Sequence, residues 1–318
     1  MEYRNLGTSG LKVSSVSVGS WLTFGSSVEV AATAKLIEQA YELGVTFFDT
    51  ADVYARGASE EAIGEALRGI PRQYVVIATK CFFPMSKNPN DQGLSRKHIV
   101  ESVEASLRRL GTDYIDLHQC HRADTATPVE ETVRAYEDLI RQGKVLYWGV
   151  SEWHGAQIVD ACRIADRRNA YAPISNQPQY NLLRRGIERE VLPVCEREGL
   201  GQVVFSPLAQ GALTGKYSGG SKPAGSRAAD AERNLFMNDY LKPEVLARVD
   251  ALAPIAQELD LSMAQLALAW CLRQPGVSST IVGVTKESQL RDNVAAAGVT
   301  LPDDVLQKVD DLFPARRR

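Results

Sequence analysis

The chain reads TFFDTADVY at residues 46–54, YVVIATK at 74–80 and YIDLHQCH at 114–121. Each run is short and mostly apolar, which is typical of a strand buried on both faces. Each also ends on polar side chains: Asp49 and Tyr54 in the first, Lys80 in the second and His121 in the third. In a parallel β/α barrel the carboxyl ends of the strands meet on one face, where active sites form. The three runs therefore predict both a fold and the place of a site within it.

Eight apolar runs of this kind alternate with segments of helical period along the chain. The predicted strands are 15–19, 46–50, 74–79, 114–120, 146–151, 173–177, 202–207 and 280–284. The predicted helices of the repeat are 31–44, 59–69, 95–111, 128–144, 155–168, 186–199, 262–276 and 286–298. Such alternation predicts a parallel sheet with right-handed crossovers, and eight repeats predict closure into a (β/α)8 TIM barrel. Because the sequence shows no internal linker, we expect a single domain over residues 1–318.

Several segments lie outside the eightfold repeat. Residues 2–13 predict an N-terminal hairpin, and residues 302–313 predict a last amphipathic helix. Residues 217–242, rich in Gly, Ser and Ala, predict a mobile loop followed by an extra helix at about 243–259. The connection at 81–93 is long for a βα loop. Both long loops are candidate lids over the active face.

A doubly wound dinucleotide-binding fold is the alternative architecture. That fold usually carries a Gly-rich GxGxxG turn directly after its first strand. Here the segment that includes the end of the first predicted strand reads GSWLTFGSS, which lacks this pattern. The sequence therefore favours the barrel.

Composition restricts the class of protein. The net charge of −3, with 44% hydrophobic and 24% charged residues, indicates neither a nucleic-acid nor a membrane partner. The basic run at 315–318 is typical of a frayed, solvated end. Five cysteines without metal-like spacing predict a reducing compartment and no metal site. No signal peptide or membrane-length apolar run is evident, so we expect a cytoplasmic protein.

The polar strand ends suggest acid catalysis at a carbonyl group. A free phenol has a pKa of about 10, and a nearby ammonium such as Lys80 is expected to lower the pKa of Tyr54. A lone Lys80 at the end of an apolar strand would be costly, so we expect Asp49 to pair with it. His121 could orient a carbonyl group or relay a proton. Each residue alone could be ordinary polarity at a strand end, but the four together favour a catalytic set.

Two histidines compete for the role at the end of the third run. Strand side chains alternate between the two faces of a sheet, so His118 and His121 should point to opposite sides. The register of the motif selects His121 for the site, and His118 is expected at a helix–sheet interface.

The sequence resembles the aldo-keto reductase superfamily over nearly its whole length. The motifs GVTFFDTADVY (44–54) and ATK (78–80) carry the resemblance. The branch it resembles is that of the potassium-channel beta subunits and their bacterial relatives, through RNLGTSGLKVS (4–14), SPLAQGALTGKY (206–217) and QLALAWCLRQPGVSSTIVG (265–283). The resemblance implies a catalytic tetrad of Asp49, Tyr54, Lys80 and His121. It also implies NADP(H)-dependent reduction of small aldehydes or ketones, with Tyr54 as the general acid.

The chain departs from the channel subunits at two positions of that pattern. The subunits carry Asn where this chain has His121 and Trp where it has Phe205. Because His121 restores the enzyme tetrad, the resemblance favours metabolic reduction over a channel-regulatory role, and no claim of channel binding is carried over from it. Two alternatives stay open: a cofactor-binding regulatory subunit with weak turnover, and an alcohol or sugar dehydrogenase working oxidatively. The oligomeric state also stays open, a homo-oligomer included.

The cofactor and substrate residues are inferred from the same resemblance. An NADP(H) site is expected from Gly19, Ser20, Trp21, Asp49, Ser151, Asn176, Gln177, Phe205, Ser206, Pro207, Leu208, Gln210, Gly211, Lys216, Arg227, Gly283, Thr285, Gln289, Asp292 and Asn293. Arg227 and Thr285 offer a phosphate a bidentate cation and a hydroxyl donor, which favours NADP(H) over NAD(H). The carbonyl substrate is expected against Trp21, Tyr54, Phe82, Phe83 and His121.

Overall fold

A computed structural model describes residues 1–230, 234 and 237–315. These residues form ten strands and eleven α-helices. The strands are β1 Tyr3–Asn5, β2 Lys12–Ser14, β3 Val16–Gly19, β4 Phe47–Asp49, β5 Val76–Cys81, β6 Ile115–Cys120, β7 Val145–Ser151, β8 Ser175–Gln177, β9 Gly201–Phe205 and β10 Val277–Val282. The helices are α1 Val30–Glu42, α2 Ala58–Leu67, α3 Arg96–Leu110, α4 Val129–Arg141, α5 Gly155–Arg168, α6 Val191–Glu198, α7 Pro243–Asp250, α8 Ala253–Glu258, α9 Met263–Leu272, α10 Glu287–Val294 and α11 Asp303–Leu312.

The eight strands β3 to β10 close into a parallel barrel in the order β10-β3-β4-β5-β6-β7-β8-β9. Strands that are consecutive in the sequence are therefore neighbours in the barrel. The barrel closes where β10 pairs with β3, through Thr280↔Val16 and Val282↔Val18. The predicted (β/α)8 TIM barrel is confirmed. Its parallel strands place all eight carboxyl ends on one face.

Two apolar layers hold the barrel together. The larger layer lies between the strands and the surrounding helices and includes the buried side chains Trp148 and Trp270. The smaller one combines strand side chains such as Phe47, Leu117 and Ile281 with Leu6 and Val13 of the N-terminal segment. Alternation along each strand sends neighbouring side chains into different layers, and it also decides which polar residues reach the site.

The N-terminal hairpin of β1 and β2 is present as predicted. Arg4 fastens it to the barrel by donating hydrogen bonds to the carbonyl oxygens of Leu272 and Val277, at 2.7 and 2.9 Å. Gly7 adopts a φ of +60° where a Cβ would lie 2.2 Å from the carbonyl oxygen of Gly199. Only glycine fits this contact without displacing the backbone.

The structure corrects two predicted helices. The single helix expected at 243–259 is two helices, α7 and α8, because Pro254 in the first turn of α8 has no N–H to continue the ladder of α7. The helix expected from 186 begins only at Val191, where Pro193 is tolerated in the first turn. The helix predicted at 155–168 is present with the same bounds, and the other predicted helices are present with ends shifted by a few residues.

Some expectations concern residues that the structure does not describe. Residues 231–233, 235 and 236 of the predicted loop at 217–242, and residues 316–318 of the basic run, lie outside the described part. All five cysteines carry free thiols. Every helix in the described part of the chain is too short or too polar to cross a bilayer.

Candidate active site

The carboxyl ends of the strands surround a cleft of about 1240 Å³. Its size is above the range of roughly 300–1,000 Å³ typical of small-molecule pockets. Most of the residues predicted from the sequence line this cleft: Gly19, Trp21, Asp49, Tyr54, Phe83, His121, Ser151, Gln177, Phe205, Ser206, Pro207, Leu208, Gln210, Gly211, Lys216, Arg227, Gly283, Thr285, Gln289, Asp292 and Asn293.

A buried ion pair lies beneath the floor of the cleft. Lys80 is fully buried, and its ammonium donates to Asp49 Oδ1 and to the carbonyl oxygen of Thr50, both at 2.6 Å. The other carboxylate oxygen of Asp49 accepts a hydrogen bond of 2.8 Å from the Gln177 amide. Burial lowers the pKa of Lys80, and the charge of Asp49 opposes that shift. Pairing is what allows both charges to remain in the apolar barrel.

Tyr54 lies in the loop after β4, five residues beyond Asp49, with the Lys80 ammonium 5.1 Å from its ring centroid. The expected lowering of its pKa by Lys80 is wrong. The pKa of Tyr54 lies above its ordinary value, first because burial disfavours the phenolate and then because the Asp49 carboxylate repels it. Since Asp49 neutralises Lys80, little positive charge remains to stabilise a phenolate. The phenol therefore keeps its proton throughout the neutral range.

His121 is buried beside Tyr54, and the two rings make an edge contact with centroids 5.6 Å apart. Burial, followed by the positive charges of Lys80 and Arg122, holds the pKa of His121 well below its usual range. The imidazole is therefore neutral at neutral pH and can present an N–H to the cleft. Within the described residues, its Nδ1 atom has no hydrogen-bond partner.

His118 points the other way, as strand alternation predicts. Its Nδ1 atom lies 2.8 Å from the Tyr136 hydroxyl of α4, at a helix–sheet interface. Burial lowers its pKa to about 3. The structure thus separates a packing histidine from one that reaches the cleft.

Four predicted site residues do not line the cleft, and one of them is Lys80, which is buried beneath its floor. Because Gln177 points inward to Asp49, the preceding residue Asn176 points outward and donates to Gln202 Oε1 at 3.1 Å. Ser20 turns from the cleft to donate to Thr50 Oγ1 at 2.9 Å. Phe82 packs edge-on against Phe83, which alone of the pair reaches the cleft. Asn176, Ser20 and Phe82 thus lie outside the cleft wall, and their roles in binding stay predictions.

The end of the cleft at β9 and β10 is rich in polar groups. Gln289 Oε1 accepts from the backbone N–H and the hydroxyl of Thr285. Asp292 accepts from Ser262 Oγ at 3.1 Å and from Gln265 Nε2 at 2.9 Å, which joins α10 to the start of α9. Ser262 and Thr285, which precede α9 and α10, both line the cleft.

Two cations lie at this end. Arg227 donates to Gln210 Oε1 and lies 5.6 Å from the ring centroid of Trp21, so its loop spans part of the cleft mouth. Partial burial and the charge of Arg227 lower the pKa of Lys216. Gly211 adopts a φ of +91°, which residues with a side chain rarely adopt, so glycine is favoured there. A hydroxyl, two cations and helix starts form a donor set suited to a phosphate.

Several cleft residues were not expected from the sequence. Arg122 and Glu152 each follow a residue that was selected, so extending the search by one position would have found both. Thr23, Gln179, Arg184 and Tyr240 belong to loops whose path the strand pattern does not specify. Left-handed φ angles also mark this face, at Leu22, Ala55, Arg56, Glu152, Ser206, Ala209 and Gln210. Such strain in residues other than glycine is concentrated at functional sites.

Comparison with known proteins agrees with this geometry. A model described as the Aldo/keto reductase family matches residues 15–313. The chain belongs to the aldo/keto reductase family. A relative from Oryza sativa subsp. japonica, named a probable voltage-gated potassium channel subunit beta, is 48% identical over 99% of this chain and 98% of its own. A protein of the same name from Arabidopsis thaliana is 46% identical with the same coverage.

A third relative has a lower identity to this chain. A putative voltage-gated potassium channel subunit beta from Schizosaccharomyces pombe is 43% identical over 98% of this chain and 93% of its own. The resemblance to this branch of the aldo/keto reductase family is therefore confirmed at full length.

A second cavity of about 300 Å³ lies behind the tetrad, between α3 and the loop after β5. Asp52, two residues before Tyr54, lines it and accepts hydrogen bonds from the Val53 N–H at 2.6 Å and from Ser102 Oγ at 3.0 Å. Burial, followed by repulsion from Glu60, raises the pKa of Asp52 to about 7. The folded protein therefore favours the protonated carboxyl.

We expect Asp52→Asn to change how stability depends on pH. The folded pKa of about 7 exceeds the ordinary value of 3.8 for an aspartate side chain, so between these values only the unfolded chain releases the proton. Wild-type stability should therefore fall as pH rises through this window and level off above about 7. The free energy of urea unfolding of Asp52→Asn minus that of wild type should rise between pH 4.5 and 7.5. Each pKa unit corresponds to about 1.4 kcal/mol.

Asp113→Asn, at an exposed carboxylate, controls for the loss of one negative charge. A difference between Asp52→Asn and wild type that stays constant over this pH range would contradict the assigned titration.

Proposed function

We propose that this protein is an NADP(H)-dependent reductase of small aldehydes and ketones. One observation carries the proposal: the rings of His121 and Tyr54 make an edge contact in the cleft above the buried Asp49–Lys80 pair. The arrangement offers two neutral hydrogen-bond donors to one oxygen atom. Donors aimed at a developing oxyanion are the usual means by which enzymes stabilise it.

The proton is proposed to come from the Tyr54 hydroxyl. A reduced nicotinamide, when bound, supplies the hydride that turns the carbonyl carbon into an alkoxide carbon. An alkoxide is a stronger base than a phenolate, so Tyr54 with a raised pKa still transfers its proton to it, yet does not lose that proton beforehand. His121 is proposed to hold the same oxygen by donating from its ring N–H. The Asp49–Lys80 pair is proposed to fix the floor and to help proton transfer.

The residues of the cleft fit a phosphorylated dinucleotide. Ser151 and Gln177 lie beside Asp49 on the floor, where an amide could be held. Thr285, Lys216 and Arg227 supply a hydroxyl and two cations at the opposite end. Because Asp292 is occupied by Ser262 and Gln265, its charge is partly compensated at this end. Arg227 is proposed to read the additional phosphate that distinguishes NADPH from NADH.

Tyr54→Phe should lower turnover on a simple aldehyde by about a hundredfold to ten-thousandfold, the usual contribution of general acid catalysis. The ring and its packing remain, so NADPH affinity should be retained. Steady-state oxidation of NADPH and fluorescence titration of the cofactor measure the two quantities.

Tyr114→Phe is the matched control, because Tyr114 precedes β6 at the opposite end of the barrel and stacks on Arg72. Near-normal turnover of Tyr54→Phe would remove this phenol from the mechanism.

Arg227→Met should weaken NADPH binding by about tenfold or more, the effect of one hydrogen bond to a charged group. NADH binding should change far less, because NADH has no phosphate for Arg227 to bind. Lys222→Met removes an exposed cation from the same loop and should affect neither cofactor. Equal losses of NADPH and NADH affinity in Arg227→Met would show that Arg227 does not read the phosphate.

A second candidate function is favoured by the names of the relatives. A chain 43–48% identical to proteins named potassium channel beta subunits could itself be a cofactor-binding subunit with weak turnover. Sustained NADPH oxidation over many equivalents supports the reductase. A single rapid equivalent followed by little turnover, together with co-purification of a co-expressed potassium channel, supports the subunit. Oxidation of an alcohol with NADP⁺ tests the reverse direction.

A further inference from the structure

Arg122 is a half-buried cation that the proposed proton transfer does not use. It directly follows His121 and lines the cleft together with Tyr54 and Phe83. Its Nη1 atom donates to the carbonyl oxygen of His121 and, at 3.4 Å, to Ser151 Oγ. The Nε and Nη2 donors have no hydrogen-bond partner within the described residues. A guanidinium carries five N–H donors in a planar fork, so most of this fork is available to a ligand.

The position of the guanidinium is well defined. It lies 5.6 Å from the ring centroid of Phe83, and Phe83 makes an edge contact with His121 at 4.9 Å. Arg122 is therefore one aromatic ring away from the imidazole proposed to hold the carbonyl oxygen. The positive charge of Arg122 also acts on this imidazole, because it contributes to lowering the pKa of His121.

No carboxylate neutralises this charge within the described residues. The nearest candidate along the chain, Glu152, directs Oε1 to the backbone N–H of Gln179 and forms no ion pair with Arg122 within 4 Å. Arg184, another cation of the cleft, differs in this respect, because it pairs with Asp239 at 3.4 Å near the rim. A half-buried guanidinium without a counterion is a binding site for an anion.

The barrel order shows which anion this is. Arg122 follows β6, which lies four strands from β10 in either direction round the eight-stranded barrel. Thr285 and the start of α10, which are suited to the cofactor phosphates, follow β10 on the far side. Arg122 instead adjoins Tyr54, His121 and Phe83, where the carbonyl substrate is expected. The anion therefore belongs to the substrate and not to the cofactor.

We propose that Arg122 forms an anion subsite that selects carbonyl substrates carrying a carboxylate or similar anionic group a short distance from the reacting carbonyl. The inference rests on the proposed reductase function and names its substrate class. Arg122 binds the anionic group through its free N–H donors, while Tyr54 and His121 hold the carbonyl oxygen. Phe83 fills the space between the two groups and packs against the apolar spacer.

The test compares 4-carboxybenzaldehyde with its neutral methyl ester, methyl 4-formylbenzoate. Wild type should show the higher kcat/KM for the carboxylate. In Arg122→Met the ratio of the two kcat/KM values should fall at least about tenfold, the loss expected for one hydrogen bond between charged groups. Arg122→Lys should retain part of the preference. Arg122→Gln can still donate to the His121 carbonyl but carries no charge, so it should lose the preference as Met does.

Arg184→Met is the matched control, since it removes a cation that already has a carboxylate partner. Its ratio should equal that of wild type. A wild type that favours the ester, or an unchanged ratio in both Arg122→Met and Arg122→Gln, would overturn the subsite even if reduction is normal.

A second readout separates the subsite from the reductase function. Calorimetry with 4-(hydroxymethyl)benzoate and its methyl ester measures binding of the product without turnover. If wild type reduces neither aldehyde but binds the carboxylate in a manner that requires Arg122, the subsite stands and the reductase function fails. If wild type reduces both aldehydes and Arg122→Met leaves the ratio and the binding unchanged, the function stands and the subsite fails.

Discussion

The ion pair between Asp49 and Lys80 is the constraint on which the site depends. Lys80 is fully buried and Asp49 nearly so. A lone charge at this depth would be very costly, so each residue is tolerated because the other lies 2.6 Å away. The pair joins the ends of β4 and β5, and Gln177 connects it to β8 across the barrel. Three strands thus hold one carboxylate, which fixes the floor of the cleft.

The electrostatics of the cleft follow from that pairing. Because Asp49 and Lys80 neutralise each other, the pair leaves little net charge to ionise its neighbours. Tyr54 therefore keeps its proton, and His121 remains neutral. The uncompensated cation near them is Arg122, while Lys216 and Arg227 lie at the other end. The cleft thus has a neutral, proton-donating centre at Tyr54 and His121, with cations on either side. This division suggests that the substrate lies at one cationic end and the cofactor phosphates at the other.

The sequence predicts the barrel well, because strands buried on both faces leave a strong apolar signal and helices of period 3.6 separate them. It also brings Asp49, Tyr54, Lys80 and His121 together, since polar residues at the ends of such strands converge. The sequence does not predict the site correctly where a shift of one residue decides which side chain faces the cleft. Asn176 precedes Gln177 in the same strand, and the sequence alone does not show which of them faces inward.

Other failures have different physical causes. The division of 243–259 depends on Pro254, which removes one N–H from a segment whose apolar pattern is otherwise helical. The direction of the Tyr54 pKa shift depends on how completely Asp49 neutralises the charge of Lys80. The spacing of these residues in the sequence does not show how complete that neutralisation is. Arg122 was not predicted because only residues at the strand ends and in the family motifs were chosen as site residues. The cleft is also lined by the first loop residues after the strands, and Arg122 is one of these.

A double-mutant cycle on the ion pair tests the central claim most directly. The free energy of urea unfolding is measured for wild type, Asp49→Asn, Lys80→Met and the double variant. Breaking a buried pair by removing one partner typically costs about 3–5 kcal/mol. The account predicts that the double variant is at least as stable as the less stable of the two single variants. The coupling energy between Asp49 and Lys80 is then several kcal/mol. Losses that simply add, to within about 0.5 kcal/mol, would contradict it and show that the two residues do not depend on each other.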